Sequence, residues 1–294
     1  LNNLHIFKSD LRDYKSIEKI FKTFESQNLK IDSVIHFAGL KNSSKSITQP
    51  IEYWDNNVVG SINLLKVMEK YCCRNIVFSS SATIYDPSLN GELLKEDCIK
   101  KPITPYGESK YTVEKILESI YKGSNKKWSI INLRYFNPIG AHEEGIIGED
   151  PLNSSHNIFP RILDVVFGKR KELQIFGKDW PTIDGTGVRD YIHVMDLADS
   201  HIAALERIEK NKNELINLNI GTGIGTSVLE LTNIFEEVNE LRINKRFAKR
   251  RKGDFAKVIA NNYEALKVLN WKPKRSIQDM CKDGYNFRKY HKLY

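Results

Sequence analysis

Apolar positions along the first half of the chain alternate between two periods. Leu11, Ile17, Ile20, Phe21 and Phe24 fall at helical spacing and predict an amphipathic helix capped by Asp13. On either side stand short apolar runs, "LHIF" at 4–7 and "IDSVIHFAG" at 31–39, read as strands. The second ends in a glycine, as buried parallel strands often do. "NVVGSINLLKVMEKY" then predicts a helix, "NIVFSSSATIY" a buried strand opening into hydroxyls, and "TPYGESKYTVEK" the start of a helix reaching about Tyr121. "WSIINLRYFNPIG" supplies a further strand. Strand and helix alternating at these distances predict an α/β protein of parallel βαβ units with right-handed crossovers.

Beyond Gly140 the periodicity loosens, and a second lobe that covers a ligand is expected to begin there. "AHEEGIIGEDPLNSSHN" has little pattern and "IFPRILDVVFGKR" is a short amphipathic helix. "ELQIFG" and "VRDYIHVMDLADSHIAALERI" resume strand and helix. "ELINLNIGTGIGTSVLELTNIF" reads as strand, glycine turn and a helix capped by Thr226 or Ser227, and a last helix starts at about Ser276. The glycines of "GTGIG" are spaced two and two, late in the chain. They fit a turn before a helix better than a phosphate loop, and the strand-to-glycine loop that opens a dinucleotide fold is not seen elsewhere.

Composition narrows the classes of function. The formal charge is +8, from 45 Lys+Arg against 37 Asp+Glu, and positions 242 to 252 hold seven basic residues and no acid. One basic run on an otherwise mixed surface fits a small anion or a solvated face; a nucleic-acid role has no reading module to support it. Four cysteines, at 72, 73, 98 and 281, have neither disulfide density nor metal-ligand spacing, which points to a reducing, cytoplasmic setting. No apolar run approaches the ~20 residues that cross a bilayer, so no membrane role is expected. The histidines at 5, 36, 142, 156, 193, 201 and 291 give no zinc pattern, and no metal is expected. No G-x-S-x-G turn for a hydrolase serine is present.

The chemistry concentrates at strand ends. Tyr106 and Lys110 stand one helical turn apart on one face, where the lysine can favour the phenolate and let Tyr106 take a proton from a sugar or alcohol hydroxyl. Ser79, Ser80 and Ser81 lie at a strand's carboxyl end, where open parallel sheets place ligands. Ser81 is positioned to hold a substrate oxygen against Tyr106, and Thr83 to hold another. The same serines fit an ordinary strand end bonded to nearby backbone. Gly39 in "HFAGLK" permits close approach of a cofactor's ribose and pyrophosphate, with Lys41 beside it. His36 reads as core, and Asn56 either fixes that turn or contacts the cofactor. Arg189 and Arg251 suit a diphosphate because guanidinium donates two bonds at once. Asn137, at another strand end, is a candidate substrate ligand. Asp190, Asp196 and Asp199 read as helix caps or arginine partners.

"HFAGLK", "YWDNNVVG", "SSSATIY", "PYGESK", "LRYFNPIGAH", "GVRDYIHVMDLAD" and "RRKGD", in this order, resemble the uridine diphosphate galactose 4-epimerases, extended short-chain dehydrogenase/reductases, over nearly the whole chain from about Ser9. The resemblance implies a doubly wound parallel, Rossmann-type sheet with a smaller C-terminal substrate lobe. It implies a tightly held NAD that interconverts UDP-glucose and UDP-galactose through a 4-keto sugar. Tyr106 is implied as base and acid, Lys110 as its cation and a ribose ligand, and Ser81 as the guiding hydroxyl. Asp10, Leu11, Phe37, Ala38, Gly39, Lys41, Asn56 and Tyr135 are implied cofactor contacts, with Tyr106 and Lys110. Asn137, Asn157, Arg189, Arg251 and Asp254 form the implied nucleotide-sugar set, with Ser81 and Thr83. Val258 falls at the family's size gate for the sugar 2-substituent, so an N-acetylhexosamine is expected to fit. The helices "NVVGSINLLKVMEKY" and "YGESKYTVEKILESI" are implied to pair two copies through a four-helix interface.

The implied domains are a partial NAD-binding domain at 1–138, with 186–214 returning to it, and a nucleotide-sugar domain at 139–185 and 215–294. The family pattern places its glycine-rich loop before Leu1, so the sheet is expected to be incomplete, and the 294-residue chain alone to fold poorly or be an inactive truncated member. A further departure is "SSKS" at 43–46, where relatives carry a "GES"-like turn. A dehydratase or decarboxylase of the same fold needs an extra acid–base pair after the strand-end serine, where Ala82, Thr83 and Ile84 stand.

Overall fold

The computed structural model describes residues 4–86, 93–150, 157–251 and 254–291. Parts of the expected loops at 86–97 and 141–157, and Lys252 of the basic run, lie outside the described residues. Asp13 accepts from the amides of Lys15 and Ser16 and opens α1 (Tyr14–Glu25), which buries Ile17 and Phe21. β1 (Val34–His36) follows, then α2 (Ser43–Thr48), capped by Asn42. Pro50 starts α3 (Pro50–Tyr53), which runs through a π-helical stretch at Trp54–Val59 into α4 (Gly60–Lys70). β2 (Asn75–Ser81) ends in one 3₁₀ turn, Ala82–Ile84, and Thr104 caps α5 (Pro105–Gly123).

β3 (Ser129–Tyr135), β4 (Asn137–Ile139), α6 (Ile158–Val166), β5 (Leu173–Phe176) and β6 (Val188–His193) come next. α7 (Val194–Lys210), β7 (Leu215–Ile220) and β8 (Gly225–Ser227) lead to α8 (Val228–Val238), where Ser227 and Glu230 form a capping box. β9 (Lys245–Ala248), β10 (Lys257–Val258), α9 (Tyr263–Leu269) and α10 (Ile277–Tyr290), with Ser276 as its cap, complete the order.

The chain forms two compact units, one of Leu1–Ile84, Pro102–Leu133 and Ala204–Asn217, the other of Tyr85–Lys101, Arg134–Ala203 and Leu218–Tyr294. Packing thus divides the chain at other points than the ligand-based boundaries at 138, 186 and 214. An open sheet of order β1-β2-β3-β7 runs through β1, β2 and the starts of β3 and β7 in the first unit. β1 lies parallel to β2 with His36 opposite Phe78, which sets both strands' carboxyl ends at one rim. Ile17, Phe21, Leu64, Met68, Ile76, Phe78, Leu117 and Trp128 form the core behind that rim.

The second unit holds a sheet of order β10-β6-β4, with β8 antiparallel against β6, and a parallel pair of β5 and β9. Its core joins Ile139, Phe159, Leu163, Ile175, Tyr191, Phe235 and Met280. Buried Asp190 explains the "GTGIG" stretch. Its carboxylate accepts from the amides of Thr222, Gly223 and Ala260 and from the Thr222 hydroxyl, so the glycines form a clamped turn.

Three expectations change. "LHIF" is no strand: Leu4 and Ile6 are 63% and 85% exposed, and an extended segment with no neighbour to complete its ladder gains nothing from pleating. Asp190 neither caps a helix nor meets an arginine, because its position on buried β6 aims it at turn amides; Asp196 does pair with Arg275 at 2.6 Å. The basic run folds as β9 against β5, with Lys245 paired to Glu236, Arg246 to Glu172 and Arg250 to Asp179. Acids distant in sequence neutralise what reads locally as a bare basic segment.

Candidate active site

In the first unit the ends of β1 and β2 and the start of α5 meet. α5 approaches so closely because residue 107 is glycine: a Cβ there would lie 2.7 Å from the Thr83 carbonyl oxygen and 3.0 Å from the Pro102 side chain. That contact brings Tyr106, the residue before it, to Ser81. The Ser81 oxygen accepts from the Thr83 amide at 3.2 Å and the Thr83 hydroxyl at 3.0 Å, so its one proton is left to point at the Tyr106 phenol, with which it shares a hydrogen bond.

Burial, the larger effect, raises the Tyr106 pKa above the usual phenol value, the Ser81 bond opposes it, and Tyr53 adds to it. Tyr106 is part-exposed as a residue. At neutral pH the phenol therefore keeps its proton. Lys110 stands one helical turn further along α5. Its ammonium turns to the Ser79 carbonyl at 2.6 Å and lies 5.0 Å over the Phe78 ring, and burial lowers its own pKa to about 8. The i, i+4 spacing holds, and the ammonium has its acceptor in the Ser79 carbonyl.

Lys110 also lies under the β1 rim, where a Cβ on Gly39 would stand 3.8 Å from the ammonium and 3.1 Å from Asn57 Oδ1. Gly39 has φ +155°, and Phe37, Ala38, Gly39 and Lys41 are exposed there. The sequence points to Asn56 for fixing this turn, but Asn57 does so. It accepts from the Leu40 amide at 2.7 Å and donates to the Leu40 carbonyl and to Ser109. Asn56 donates to the Glu52 carbonyl. The two differ by one helical step, and only packing decides which faces inward.

His36 is core, bonded to Ser61 at 2.8 Å, with its pKa lowered to about 3 by burial and then by Lys110. Asp10 pairs with Arg12 at 2.7 Å, whose bonds hold its pKa down at about 2. Leu11 packs on Gly60. Of the "SSKS" hydroxyls, Ser46 donates to the Ser43 carbonyl.

The second unit carries a separate cleft. Asn137, Asn157, Arg161, Gln174, Phe176, Arg189, Tyr191, Arg251 and Asp254 line it. Arg189 bonds Asp254 and donates to the carbonyls of Val188 and Phe255. Arg251 stacks on Phe176 at 3.7 Å, and burial lowers its pKa while Asp254 opposes the shift. Val258 stands opposite Arg189 in the β10–β6 register. Tyr135 bonds His201, whose Nδ1 faces the Leu197 carbonyl; that fixes the tautomer that accepts the Tyr135 proton.

Tyr191 is a residue the sequence reading missed. It is 3% exposed and its hydroxyl has no partner among the described residues, yet it belongs to the cleft wall beside Asn137 in register. An unpaired buried hydroxyl is costly unless something else satisfies it. The only sequence signal was the tyrosine's place two residues after Arg189 on one strand, hence on the same face.

Among the described residues, no group of three His, Cys, Asp or Glu stands together as a metal site, and no helix is long and apolar enough to cross a membrane. The rim of the first unit fits a dinucleotide on one observation above all: a buried ammonium that spends one of its three donors on Ser79 lies under a Cβ-free, exposed backbone turn.

Fold and site together define a class, the α/β enzymes that take a dinucleotide at the rim of a parallel sheet. Residues 1–221 match the model of the NAD dependent epimerase/dehydratase family, and the chain belongs to that family. It is 46% identical over 286 residues to UDP-glucose 4-epimerase 2 of Arabidopsis thaliana, spanning 97% of this chain and 80% of that protein. It superimposes with TM-score 0.92 and 39% identity on the UDP-glucose-4-epimerase of Stenotrophomonas maltophila with bound NAD and formylated UDP-arabinopyranose, over 97% of this chain and 83% of that one. The UDP-glucose 4-epimerase of Bifidobacterium longum in complex with NAD+ and UDP gives 0.90 and 41%, over 98% and 83%.

The buried ammonium makes one prediction about pH. A lysine lowered from 10.5 to about 8 releases its proton from the folded state first, so stability rises as pH goes from about 8 to 10.5. Relative to Lys110→Met, which carries no charge, the native protein should gain up to about 3 kcal/mol between about pH 7.5 and about pH 10 in urea unfolding. Parallel pH profiles for the two would contradict the assignment.

Proposed function

We propose that the chain interconverts UDP-glucose and UDP-galactose by removing and returning the hydrogens at C4, through a 4-keto sugar. The observation that carries this is the first unit's constellation, with the Tyr106 phenol bonded to Ser81 and Lys110 one turn further on beneath Gly39. NAD, when bound, supplies the acceptor and donor of the C4 hydride. Tyr106 accepts the C4 hydroxyl proton and gives it back once the keto sugar has presented its other face. Ser81, oriented by its bonds from Thr83, turns its one proton from the phenol to the C4 oxygen when the sugar binds, and the Thr83 oxygen is left to accept from a neighbouring hydroxyl. Burial keeps the phenol protonated, so it must give up its own proton before it accepts the C4 hydroxyl proton; the positive charge of Lys110, and of an oxidised nicotinamide when bound, would favour that loss.

Lys110 has donors for a ribose diol, and Phe37, Ala38 and Gly39 offer exposed backbone. Asp10, Leu11, Lys41, Asn56 and Tyr135 are assigned to the same cofactor. In the second unit Arg189 and Arg251 take the diphosphate, with Asn137, Asn157 and Asp254 beside them, and Tyr191 gains the partner it lacks. The dehydratase reading is weaker because Ala82 and Ile84 have no titratable group and the Thr83 hydroxyl is bonded to Ser81.

Val258 has a small side chain next to Arg189, which supports N-acetylhexosamine nucleotides as additional substrates. A second copy of the chain is the proposed partner. Ile62, Leu65, Ile116, Ile120 and Trp128 line an apolar groove between α4 and α5, the two helices the family resemblance assigns to pairing.

Tyr106→Phe should lower isomer exchange by about 10²–10⁴-fold while leaving UDP affinity unchanged. Retained exchange would remove Tyr106 as the proton carrier, and a 4-keto-6-deoxy product from UDP-glucose would remove the epimerase reading. Val258→Tyr should lower turnover of the N-acetyl substrate at least about tenfold more than that of UDP-galactose; equal effects would remove the gate. Light scattering should give a dimer that Ile116→Lys converts to monomer, and a native monomer would refute the pairing.

A further inference from the structure

Arg250 sits against both an aromatic face and an acid, while its neighbour Arg251 enters the cleft. Its guanidinium lies 4.0 Å over the Trp180 ring, donates from Nε to Asp179 at 2.9 Å, and bonds the Asp179 carbonyl. Trp180 closes the ring of contacts, its indole N–H donating to the Phe176 carbonyl at 3.4 Å. Phe176 is the residue whose face carries Arg251 at 3.7 Å. Gly177, between Phe176 and the loop to Trp180, has φ +84°, and its amide bonds the Ala248 carbonyl at 2.8 Å, so the indole folds back over backbone that carries no side chain.

We propose that Arg250, Trp180 and Asp179 form a latch that positions Arg251 in the nucleotide cleft. β9 ends at Ala248, opposite Phe176. Beyond it, no ladder fixes the backbone direction of residues 249 to 251. The planar stack on Trp180 and the two bonds to Asp179 fix Arg250 instead. Its neighbour then stacks on Phe176, in the cleft lined also by Arg189 and Tyr191. A flexible Arg251 would lose side-chain and backbone freedom each time it met a diphosphate; a latched one has already lost it, which is preorganisation of an anion site. Arg250 is thus a positioning residue that acts through Arg251 and touches no substrate itself.

This rests on the cleft being the UDP site, and the test separates the two. Native protein that fails to bind UDP would refute the cleft reading. Given binding, Arg250→Ala and Trp180→Ala should each raise the UDP Kd and the KM for UDP-galactose about tenfold with kcat within about twofold, since a ground-state contact is loosened and the reacting centre is untouched. Arg250→Lys, which keeps the charge and loses the planar stack, should restore little. The double variant should be no worse than either single, as expected for one coupled unit. In an Arg251→Ala background, Arg250→Ala should have no further effect on UDP affinity. Continued weakening there, unchanged affinity in the singles, or a fall in kcat matching the rise in KM would overturn the proposal.

Discussion

The closeness of Gly107 to the Thr83 carbonyl is the constraint on which the first unit's chemistry depends. A helix start normally keeps its distance from a strand-end turn by the width of a side chain. Here nothing intervenes, so the residue before the glycine meets the hydroxyl that ends β2. Thr104 caps the helix from outside and Pro105 fixes its first dihedral, which leaves the entry angle little freedom. Every other feature of that rim is arranged around a helix already in place. Asn57 stitches the β1 turn, and Lys110, one turn along α5, passes beneath Gly39 to reach Ser79.

Burial governs the electrostatics of this rim. It raises the phenol's pKa, lowers that of the ammonium and holds His36 neutral. None of the three groups is tuned chiefly by an opposite charge. A site so arranged is quiet until a ligand brings charge to it. The second unit behaves differently. There arginines are crowded on one wall, with Asp254 committed to Arg189, and Arg161 feels Arg251 as a like charge after burial itself. An anion relieves that crowding, which is why the cleft suits a diphosphate better than a neutral sugar.

Most of the architecture was legible along the chain. The sequence predicted α1 with its cap at Asp13, α5 after "TPYG", α8 with its cap at Thr226 or Ser227, and a last helix from about Ser276, because such signals depend on a few adjacent residues. The near-continuous apolar runs predicted β1, β2 and β3. "LHIF" failed because a strand is a property of a pair, and β9 was missed because its charges are balanced only by Glu236 and Glu172 across the fold. The site divides the same way. Tyr106, Lys110 and Ser81 were visible as types at suitable spacing, while Asn57 lost to Asn56 and Tyr191 was passed over as an ordinary core tyrosine.

What the sequence determined by itself is therefore the order of elements, the residues at strand ends and the family, since each rests on local pattern or on motifs that keep their order. What only the tertiary structure decided is direction. It turned the Lys110 ammonium to a carbonyl, chose the inward asparagine, left the buried Tyr191 hydroxyl without a partner among the described residues, and set Arg250 and Arg251 on two different aromatic rings. Side-chain direction depends on which acceptors, rings and gaps lie within a few ångströms, and those neighbours come from segments tens of residues away.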